Sequence, residues 1–171
     1  VVTVDRDQSN GGKMYVDGAL VQTFNPTGRL SSIDNTADLF IGINALIPTN
    51  YMFQGKLDDI RIYNRVLSVA EIQQLYRIVP DVEPPKCDGI TNGLVACYPL
   101  DDNALDGSGN GNHGIIDGPT LTTDRFGTPN HAFSFSGTGS NRIRVPNSPS
   151  LNFGTGDFST AFWVNTGAGN E

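Results

Sequence analysis

The segment K-L-D-D-I-R-I-Y-N-R-V-L-S-V-A-E-I-Q-Q-L-Y, residues 56–76, decides the fold because it places a strand pattern directly before a short helix pattern. Residues 56–63 alternate in polarity, which puts Ile60 and Ile62 on one face of a strand, the predicted core face. The same alternation assigns Asp58 to that core face, where a carboxylate is costly unless it is paired or binds a cation. The sequence therefore predicts a strand with a buried carboxylate that needs a partner.

The second part of this segment carries the signals of a helix start. Ser68 and Glu71 have the spacing of a capping box, in which each side chain accepts a hydrogen bond from the backbone N–H of the other residue. The apolar side chains of the following turns share one face, which predicts a short amphipathic helix that ends near Arg77. That face consists of Val69, Ile72, Leu75 and Tyr76.

Strand patterns occupy most of the remaining chain. Two apolar runs within residues 13–24 are joined by Asp17 and Gly18, a pair that favours a hairpin because a type I′ turn needs positive φ at both central residues. Residues 78–92 contain three prolines and scattered charge, which indicates a semi-rigid linker. Further strands are predicted over residues 38–43, 93–100, 131–136, 142–145 and 158–165.

The composition of the 171-residue chain favours a β-rich protein of one sandwich-sized domain or two small ones, with 20 glycines and 10 prolines for many turns. A net charge of −7 weighs against nucleic acid as a partner, since phosphate contacts need clustered basic side chains. Arg142 and Arg144 form a tight basic pair, which we interpret as a solvated strand face. No apolar run approaches the length of a membrane span, so we expect no membrane insertion.

Cys87 and Cys97, the two cysteines of the chain, lie ten residues apart. If they pair, they close a short loop, and such a crosslink stabilises a fold by about 2–3 kcal/mol in a chain-entropy model. The alternative is one exposed and one buried free thiol. We favour the disulfide, which is typical of an oxidising, extracytoplasmic compartment.

Two blocks of the chain resemble one domain type, but in reversed order. F-Q-G-K-L-D-D-I-R-I-Y-N-R-V-L-S-V-A-E-I-Q-Q-L-Y (53–76) resembles the carboxy-terminal end of a laminin-G-like jelly-roll domain of the concanavalin A-like lectin/glucanase superfamily. G-L-V-A-C-Y-P-L-D-D-N-A-L-D-G-S-G-N-G-N-H-G (93–114) resembles the amino-terminal half of the same domain type, together with residues 133–137, 144–151 and 157–164. The resemblance implies an all-β fold, an antiparallel two-sheet jelly-roll sandwich, with one short helix.

The reversed order divides the chain into a carboxy-terminal half-unit at 1–77, a linker at 78–92 and an amino-terminal half-unit at 93–171. Either half alone leaves an apolar face uncovered and a strand edge open. We therefore expect the halves to combine into one sandwich, either within one chain as a circular permutant or head to tail between chains. Compared with the family pattern, a stretch between Trp163 and the opening V-V-T-V is absent. We expect a piece of a longer repeat protein, with a sandwich short of one or more strands.

The run D-G-S-G-N-G-N-H-G, residues 106–114, has no apolar side chain and is expected to form a sharply bent loop. Calcium takes about six to eight oxygen ligands, and Asp106, Asn110 and Asn112 offer side-chain oxygens. A tight turn without an ion accounts for the loop equally well. Because calcium sites near these loops are common in the resembled family, we predict one formed by Asp58 and Asp106 with the asparagine carbonyls. The alternative for Asp58 is a basic partner.

Catalysis is not expected, because the sequence lacks the carboxylate pattern of the superfamily's glycosidases, which use two carboxylates across the scissile bond. Laminarinase-type members resemble E-x-D-x-x-E on one strand, whereas the three glutamates here, Glu71, Glu83 and Glu171, lie outside strand patterns. Asp58 and Asp59 are adjacent, so alternation points them to opposite faces. A fragment of a glycoside hydrolase is the weakest of the alternatives.

The function predicted from these observations is a non-catalytic, calcium-stabilised carbohydrate-binding or adhesion module of a secreted or surface repeat protein. Its partner would be a carbohydrate or an extracellular glycoprotein. Aromatic side chains would contact the sugar: Tyr51 and Phe53 follow a proline-containing loop, and Trp163 lies on the strand face opposite Phe162 and Val164. The main alternative is a structural spacer repeat without a ligand of its own.

Overall fold

The computed structural model describes residues 1–28, 31–43, 52–77, 87–139 and 141–166. Within these ranges the chain forms short strands, one α-helix and one 3-10 turn. The strands are β1 (Val2–Val4), β2 (Gly12–Val16), β3 (Ala19–Phe24), β4 (Leu39–Ile41), β5 (Gln54–Tyr63), β6 (Leu94–Tyr98), β7 (Ile115–Asp117), β8 (Thr120–Thr122), β9 (Ala132–Ser136), β10 (Arg142–Val145) and β11 (Phe158–Thr166). The helix α1 spans Val69–Tyr76, and the 3-10 turn spans Pro149–Leu151.

The strands form two antiparallel sheets. The larger sheet has the order β3-β2-β1-β11-β5-β9-β8, with β6 also pairing with β5, and the smaller sheet has the order β4-β10-β7. The hairpin between β2 and β3 turns at Asp17 and Gly18, whose φ values of 50° and 75° fit the predicted turn. The fold is the antiparallel jelly-roll sandwich with one short helix that the sequence predicts.

Strand β5 joins the two halves of the chain. One edge of β5 pairs with β11, whereas the other edge pairs with β9 over residues 54–57 and with β6 over residues 60–63. β5 comes from the half at 1–77, and its three partner strands come from the half at 93–171. In this structure the halves therefore share one sheet within one chain. Exchange of halves between chains stays a prediction.

The core has two parts, one on each face of the larger sheet. The part between the two sheets consists of Leu57, Ile60, Ala96, Tyr98, Leu100, Ala104, Phe133, Phe135, Ile143 and Val145. The part beneath α1, on the outer face of the larger sheet, consists of Tyr15, Tyr63, Leu67, Ile72, Leu75, Ile90 and Ala161. Because both faces are covered, polar side chains of β5 are buried whichever way they point.

A β-bulge interrupts the alternation of β5. Asp58 lies opposite Trp163 and Arg61 lies opposite Ala161, so two residues of β5 face one residue of β11 between these pairs. Asp59, inside the bulge, has a φ of 49°, a conformation that few residues other than glycine adopt. The bulge therefore offsets the alternation of inward and outward side chains by one residue between the part of β5 before Asp59 and the part after it.

This shift overturns the predicted position of Asp58. Leu57 and Ile60 both belong to the core between the sheets, so two residues instead of one separate successive inward side chains. Asp58 and Asp59 both accept a hydrogen bond from the same donor, Arg125 Nη1, on the outer face. The prediction that Asp58 shares the face of Ile60 is wrong, and so is the prediction that the two aspartates point to opposite faces.

The start of α1 has the predicted capping box. Ser68 Oγ accepts a hydrogen bond from Glu71 N at 3.3 Å, and Glu71 Oε2 accepts one from Ser68 N at 2.8 Å. Arg65 pairs with Glu71 at 2.6 Å, and this hydrogen bond lowers the pKa of Glu71 to about 2. The only glutamate within the described ranges is therefore held in a structural contact.

The apolar face of α1 is narrower than predicted. Ile72 and Leu75 are buried against the sheet, whereas Val69 and Tyr76 are 51% and 44% exposed. The two exposed residues lie at the margins of the predicted face, so only the central positions reach the core. In the described ranges, no helix has the length and apolar character required to cross a membrane.

Part of the larger sheet is left uncovered among the described residues. On β2 and β11 the exposed apolar side chains are Met14, Val16, Phe162 and Val164, which are between 37% and 48% exposed. They alternate along these strands with Tyr15 and Ala161, which pack beneath α1. That the sandwich is short of one or more strands stays a prediction.

Candidate functional site

The carboxylate of Asp106 is the centre of the loop at 106–114. Its Oδ1 accepts hydrogen bonds from Cys97 N and Ser108 N, both at 2.9 Å. Its Oδ2 accepts from Asn112 N at 3.0 Å and from Ser108 Oγ at 2.9 Å. Four donors thus surround a carboxylate that is only 8% exposed. The loop is a hydrogen-bonded clasp on β6.

The two asparagines of this loop strengthen the clasp. Asn110 Nδ2 donates to Val95 O at 2.9 Å, and Asn112 Nδ2 donates to the same carbonyl at 3.0 Å. Asn112 also bonds Ser150 Oγ through both of its amide atoms, at 2.9 and 3.1 Å. A disulfide joins Cys97 of β6 to Cys87, which lies in the linker at 78–92, with a Cα–Cα distance of 5.9 Å. These contacts fix the loop through protein atoms alone.

The predicted calcium ligands do not fit a calcium site in this arrangement. Both oxygens of Asp106 already accept two hydrogen bonds each, which leaves little capacity for a cation that takes about six to eight oxygens. Asp58 pairs with a basic side chain, Arg125, which is the alternative to a cation that the sequence analysis gave. Across the described ranges, no group of three or more His, Cys, Asp or Glu residues could hold a metal ion. Calcium dependence stays a prediction, without support from these contacts.

A cavity of about 370 Å³ opens on the outer face of the larger sheet, between β2, β11 and α1. Its aromatic lining residues are Tyr15, Tyr76, Phe162 and Trp163, and its charged lining residues are Asp17, Asp59 and Arg61. The volume lies within the range of about 300–1,000 Å³ that is usual for small-molecule sites. The cavity therefore combines aromatic rings with hydrogen-bonding groups.

Arg61 is the most deeply buried charged group of this cavity, with 2% of its surface exposed. Its Nη1 donates to the backbone carbonyl of Asp88 at 3.1 Å, but its Nη2 has no hydrogen-bond partner in the described part of the chain. A buried charge without a partner is costly, because it loses its hydration and gains little in return. Because Nη2 is itself fully buried, Arg61 lines the cavity through its other atoms.

Trp163 lines the cavity, but protein contacts occupy its ring. Tyr76 stacks against it with ring centroids 6.0 Å apart and an interplanar angle of 22°. The Arg125 guanidinium carbon lies 4.1 Å from the Trp163 ring centroid, within range of a cation–π contact. Trp163 is therefore not the open platform that we predicted, whereas Tyr76 is substantially exposed beside it.

Asp58, Asp59 and Arg125 form a buried charge cluster next to this stack. Arg125 Nη1 lies 3.1 Å from Asp58 Oδ2 and 2.7 Å from Asp59 Oδ2. Burial, followed by the neighbouring charge of Asp59, raises the pKa of Asp58 to about 7, although Arg125 opposes the shift. One arginine thus faces two carboxylates, of which Asp58 takes up a proton readily.

The other two predicted ligand residues do not reach the cavity in the described structure. Phe53 packs edge-to-face on Phe135, with ring centroids 5.8 Å apart, and contacts the core between the sheets. Its ring is a core contact, so the prediction of a ligand platform at Phe53 is wrong. Tyr51 lies outside the described residues.

Apart from Trp163, sequence reasoning missed the residues that line the cavity. Alternation along residues 56–63 does place Arg61 and Tyr63 on the face away from Ile60 and Ile62. In the structure α1 packs over that face and buries it. One signal could have indicated this burial: the sequence predicts a short amphipathic helix directly after the strand, and the apolar side of such a helix must pack on a face of the sheet.

Comparison with known families supports the fold. Residues 1–73 match a laminin-G-like family model of the concanavalin A-like lectin/glucanases superfamily. The match covers the described segments from β1 to the middle of α1 and confirms the resemblance noted for residues 53–76. Searches of curated proteins and of solved structures returned no significant match.

Proposed function

We propose that this chain, whose residues 1–73 are laminin-G-like, is a carbohydrate-binding module that binds its sugar in the cavity beneath α1. At the level of the superfamily, the match supports a carbohydrate-binding or adhesion-type module. The observation that carries the assignment to this site is the lining of the cavity, in which four aromatic side chains meet three charged ones. Fold alone does not give a function, so the site must carry it.

The cavity offers the two kinds of contact that a sugar needs. Tyr76, which is 44% exposed, supplies an aromatic surface for the apolar C–H face of a pyranose ring. Asp59 supplies acceptor oxygens for sugar hydroxyls, because a carboxylate has more lone pairs than its contact with Arg125 uses. A ring bound in this place would therefore be held by one face and by its hydroxyl groups.

We also propose that the module is non-catalytic. A glycosidase needs two carboxylates on either side of the scissile bond. Asp58 and Asp59 instead share one guanidinium nitrogen of Arg125. Glu71 is bound to Arg65 and the helix cap. These contacts support a binding role over a hydrolytic one.

An extracellular or cell-surface location completes the proposal. Laminin-G-like domains are commonly extracellular, and the buried Cys87–Cys97 disulfide is typical of oxidising compartments. A carbohydrate or an extracellular glycoprotein would be the partner in such a setting. Calcium is not part of the proposed site, and its predicted role at the loop is tested separately below.

The test is a glycan and polysaccharide binding screen on protein shown to be folded, run with calcium and with EDTA. Tyr76→Ala is expected to weaken each hit at least about tenfold, because it removes the exposed ring, a loss of roughly 1.4 kcal/mol. Val69→Ala is the matched control, since Val69 is exposed on the same helix but does not line the cavity. A blank screen would instead favour the structural spacer, and equal losses in both variants would place the site elsewhere.

A further inference from the structure

We infer that strand β3 is a docking edge for a second copy of this chain, so that the protein forms a two-fold dimer through antiparallel pairing of β3 with β3. β3 is the outermost strand of the larger sheet, and in the described part of the chain only β2 pairs with it. All six of its residues, Ala19–Phe24, are exposed. A strand in this position presents backbone N–H and C=O groups to which a further strand can bond.

The pairing of β2 shows which backbone groups of β3 are open. Val1 N donates to Tyr15 O and Tyr15 N donates to Val1 O, so the backbone of Tyr15 points towards β1. Lys13, two residues earlier on the same strand, points the same way, because the direction alternates from one residue to the next. Thr23, which lies opposite Lys13, therefore directs its N–H and C=O away from β2.

The other sheet edges of the described chain carry protection that β3 lacks. The edge strands β4, β7 and β8 have three residues each, and Pro119 directly precedes β8. The clasp covers the open side of β6, where Asp106 accepts from Cys97 N and Asn112 donates to Val95 O. β3 has six residues and contains neither a charged residue nor a proline. Since short length, charge and proline are what protect an edge from pairing, β3 is the edge at which another strand can add.

The charges around β3 favour a second copy as the added strand. Each copy has a net charge of −7, but β3 itself is uncharged, so no like charges meet when two copies of it pair. Asp17 lies in the turn before β3, whereas Lys13 lies beside Thr23, near the other end of the strand. Antiparallel pairing therefore brings the Asp17 end of each copy next to the Lys13 end of the other. A two-fold contact of this kind closes after two copies.

Apolar side chains of β3 support the same contact. Leu20, Val21 and Phe24 are between 41% and 53% exposed. Across an antiparallel pair, side chains of this kind pack against one another and stabilise the sheet. An interface of one strand from each copy is smaller than the roughly 1,200 Å² of stable complexes, so we expect a weak dimer that depends on concentration.

The dimer would also double the proposed sugar site, and this consequence alone rests on the proposed function. The two-fold axis of an antiparallel strand pair is perpendicular to the sheet, so the outer faces of both copies lie on the same side of the joined sheet. Both cavities open on that side. A polymeric glycan that binds both cavities at once would gain apparent affinity without any new contact.

Sedimentation velocity of the 171-residue chain, from about 1 μM to about 1 mM, tests the inference. We expect wild type to change from monomer to dimer within this range without larger species, because the contact is closed. In hydrogen-exchange measurements, the N–H of Thr23 should become more protected as the dimer forms. A chain that stays monomeric at the highest concentration, or that assembles beyond a dimer, would overturn the inference.

Two variants with the same substitution separate β3 from the rest of the surface. Val21→Lys places lysines of the two copies close together across the two-fold axis, so we expect it to weaken dimerisation at least about tenfold. Val69→Lys, on α1, is the matched control, because it changes the net charge equally and Val69 is 51% exposed, close to the 53% of Val21. Melting curves establish that both variants are folded, and the wild-type measurements need no variant.

The outcomes distinguish this dimer from other kinds of association and from the proposed function. Equal dimerisation of Val21→Lys and Val69→Lys would place the contact elsewhere on the surface and overturn the inference. Dimers formed by exchange of halves between chains would give the same result, because exchange does not need the edge of β3. Neither measurement uses a sugar, so a blank glycan screen would overturn the proposed function and leave the dimer standing.

Discussion

The clasp at 106–114 and the cavity beneath α1 both bury a charged side chain, but they differ in how that charge is satisfied. Asp106 accepts four hydrogen bonds, whereas Arg61 gives one bond to a backbone carbonyl and keeps Nη2 unpaired. The loop attracts attention in the sequence because it is polar, yet its polar groups are already used. The difference teaches that polarity by itself does not mark a binding site, because the hydrogen-bonding capacity of a polar loop can already be used within the protein.

The distance along the chain between partners explains this difference. The donors to Asp106 lie within nine residues of it, so a short segment can satisfy the carboxylate by itself. Arg61 reaches a carbonyl 27 residues away, and the cavity around it is formed by β2, β11 and α1. A site assembled from distant elements can keep donors free, because no local turn is shaped to consume them.

The largest effect is expected from removing the centre of the clasp. Asp106→Ala leaves the N–H groups of Cys97 and Asn112 buried without an acceptor, at about 1–3 kcal/mol each. We expect the free energy of unfolding to fall by about 3–5 kcal/mol, since two further hydrogen bonds are lost as well. Urea denaturation followed by circular dichroism measures this change.

Asp106→Asn is the matched control for the clasp. The amide keeps one acceptor oxygen and nearly the same shape, so the loss should be clearly smaller than for alanine. If Asp106→Ala unfolds at the wild-type urea concentration, the hydrogen bonds of the clasp do not stabilise the fold and the contrast between the two regions disappears.

A smaller, pH-dependent effect is expected on the cavity side, at Asp58. Its pKa is about 7 in the folded protein and 3.8 in the absence of the fold, so the folded state holds an extra proton between these values. Stability therefore falls as the pH rises through this window, and the loss is complete above about pH 7. Asp58→Asn cannot ionise, so the variant should be more stable than wild type at pH 8, by about 1–2 kcal/mol, and similar to it only at about pH 3.5, below the unfolded pKa.

We expect less than the full pKa shift because Asp58 and Arg125 are not completely removed from solvent, which screens the charges. Unfolding free energies at the two pH values measure the effect. Asp117→Asn, at a more exposed ion pair with Arg142, should show little difference between them. A variant that is less stable than wild type at pH 8 would mean that the ion pair with Arg125 outweighs the burial of Asp58.

The smallest effect is expected from metal removal. The oxygens of Asp106 are occupied by N–H and O–H donors, so EDTA should leave the melting temperature of wild type unchanged. Calcium added back should not change it either, because only a ligand that binds the folded state stabilises it. A melting temperature that rises with calcium and saturates would restore the predicted calcium site, and with it the functional role of the loop.

The sequence by itself determined the parts of this protein that depend on local spacing. The segment at 56–76 was recognisable as a strand followed by a capped helix, and the turn at Asp17 and Gly18 as a hairpin. The family resemblance followed from the same segment, and residues 1–73 carry the match. Hydrophobic periodicity and helix capping depend on residues a few positions apart, so a short stretch of sequence is enough to predict them. Strand β8, with three residues, carries no such signal and was missed.

Only the tertiary structure decided the candidate site. The bulge at Asp59 turned Asp58 away from the core and brought both aspartates to Arg125, although strict alternation separates them. Packing of α1 on the outer face buried Arg61, and no local rule states which sheet face a helix will cover. Burial, counter-charges and cavity shape depend on contacts between elements distant in the chain, so the single sequence contains them only through the fold that brings those elements together.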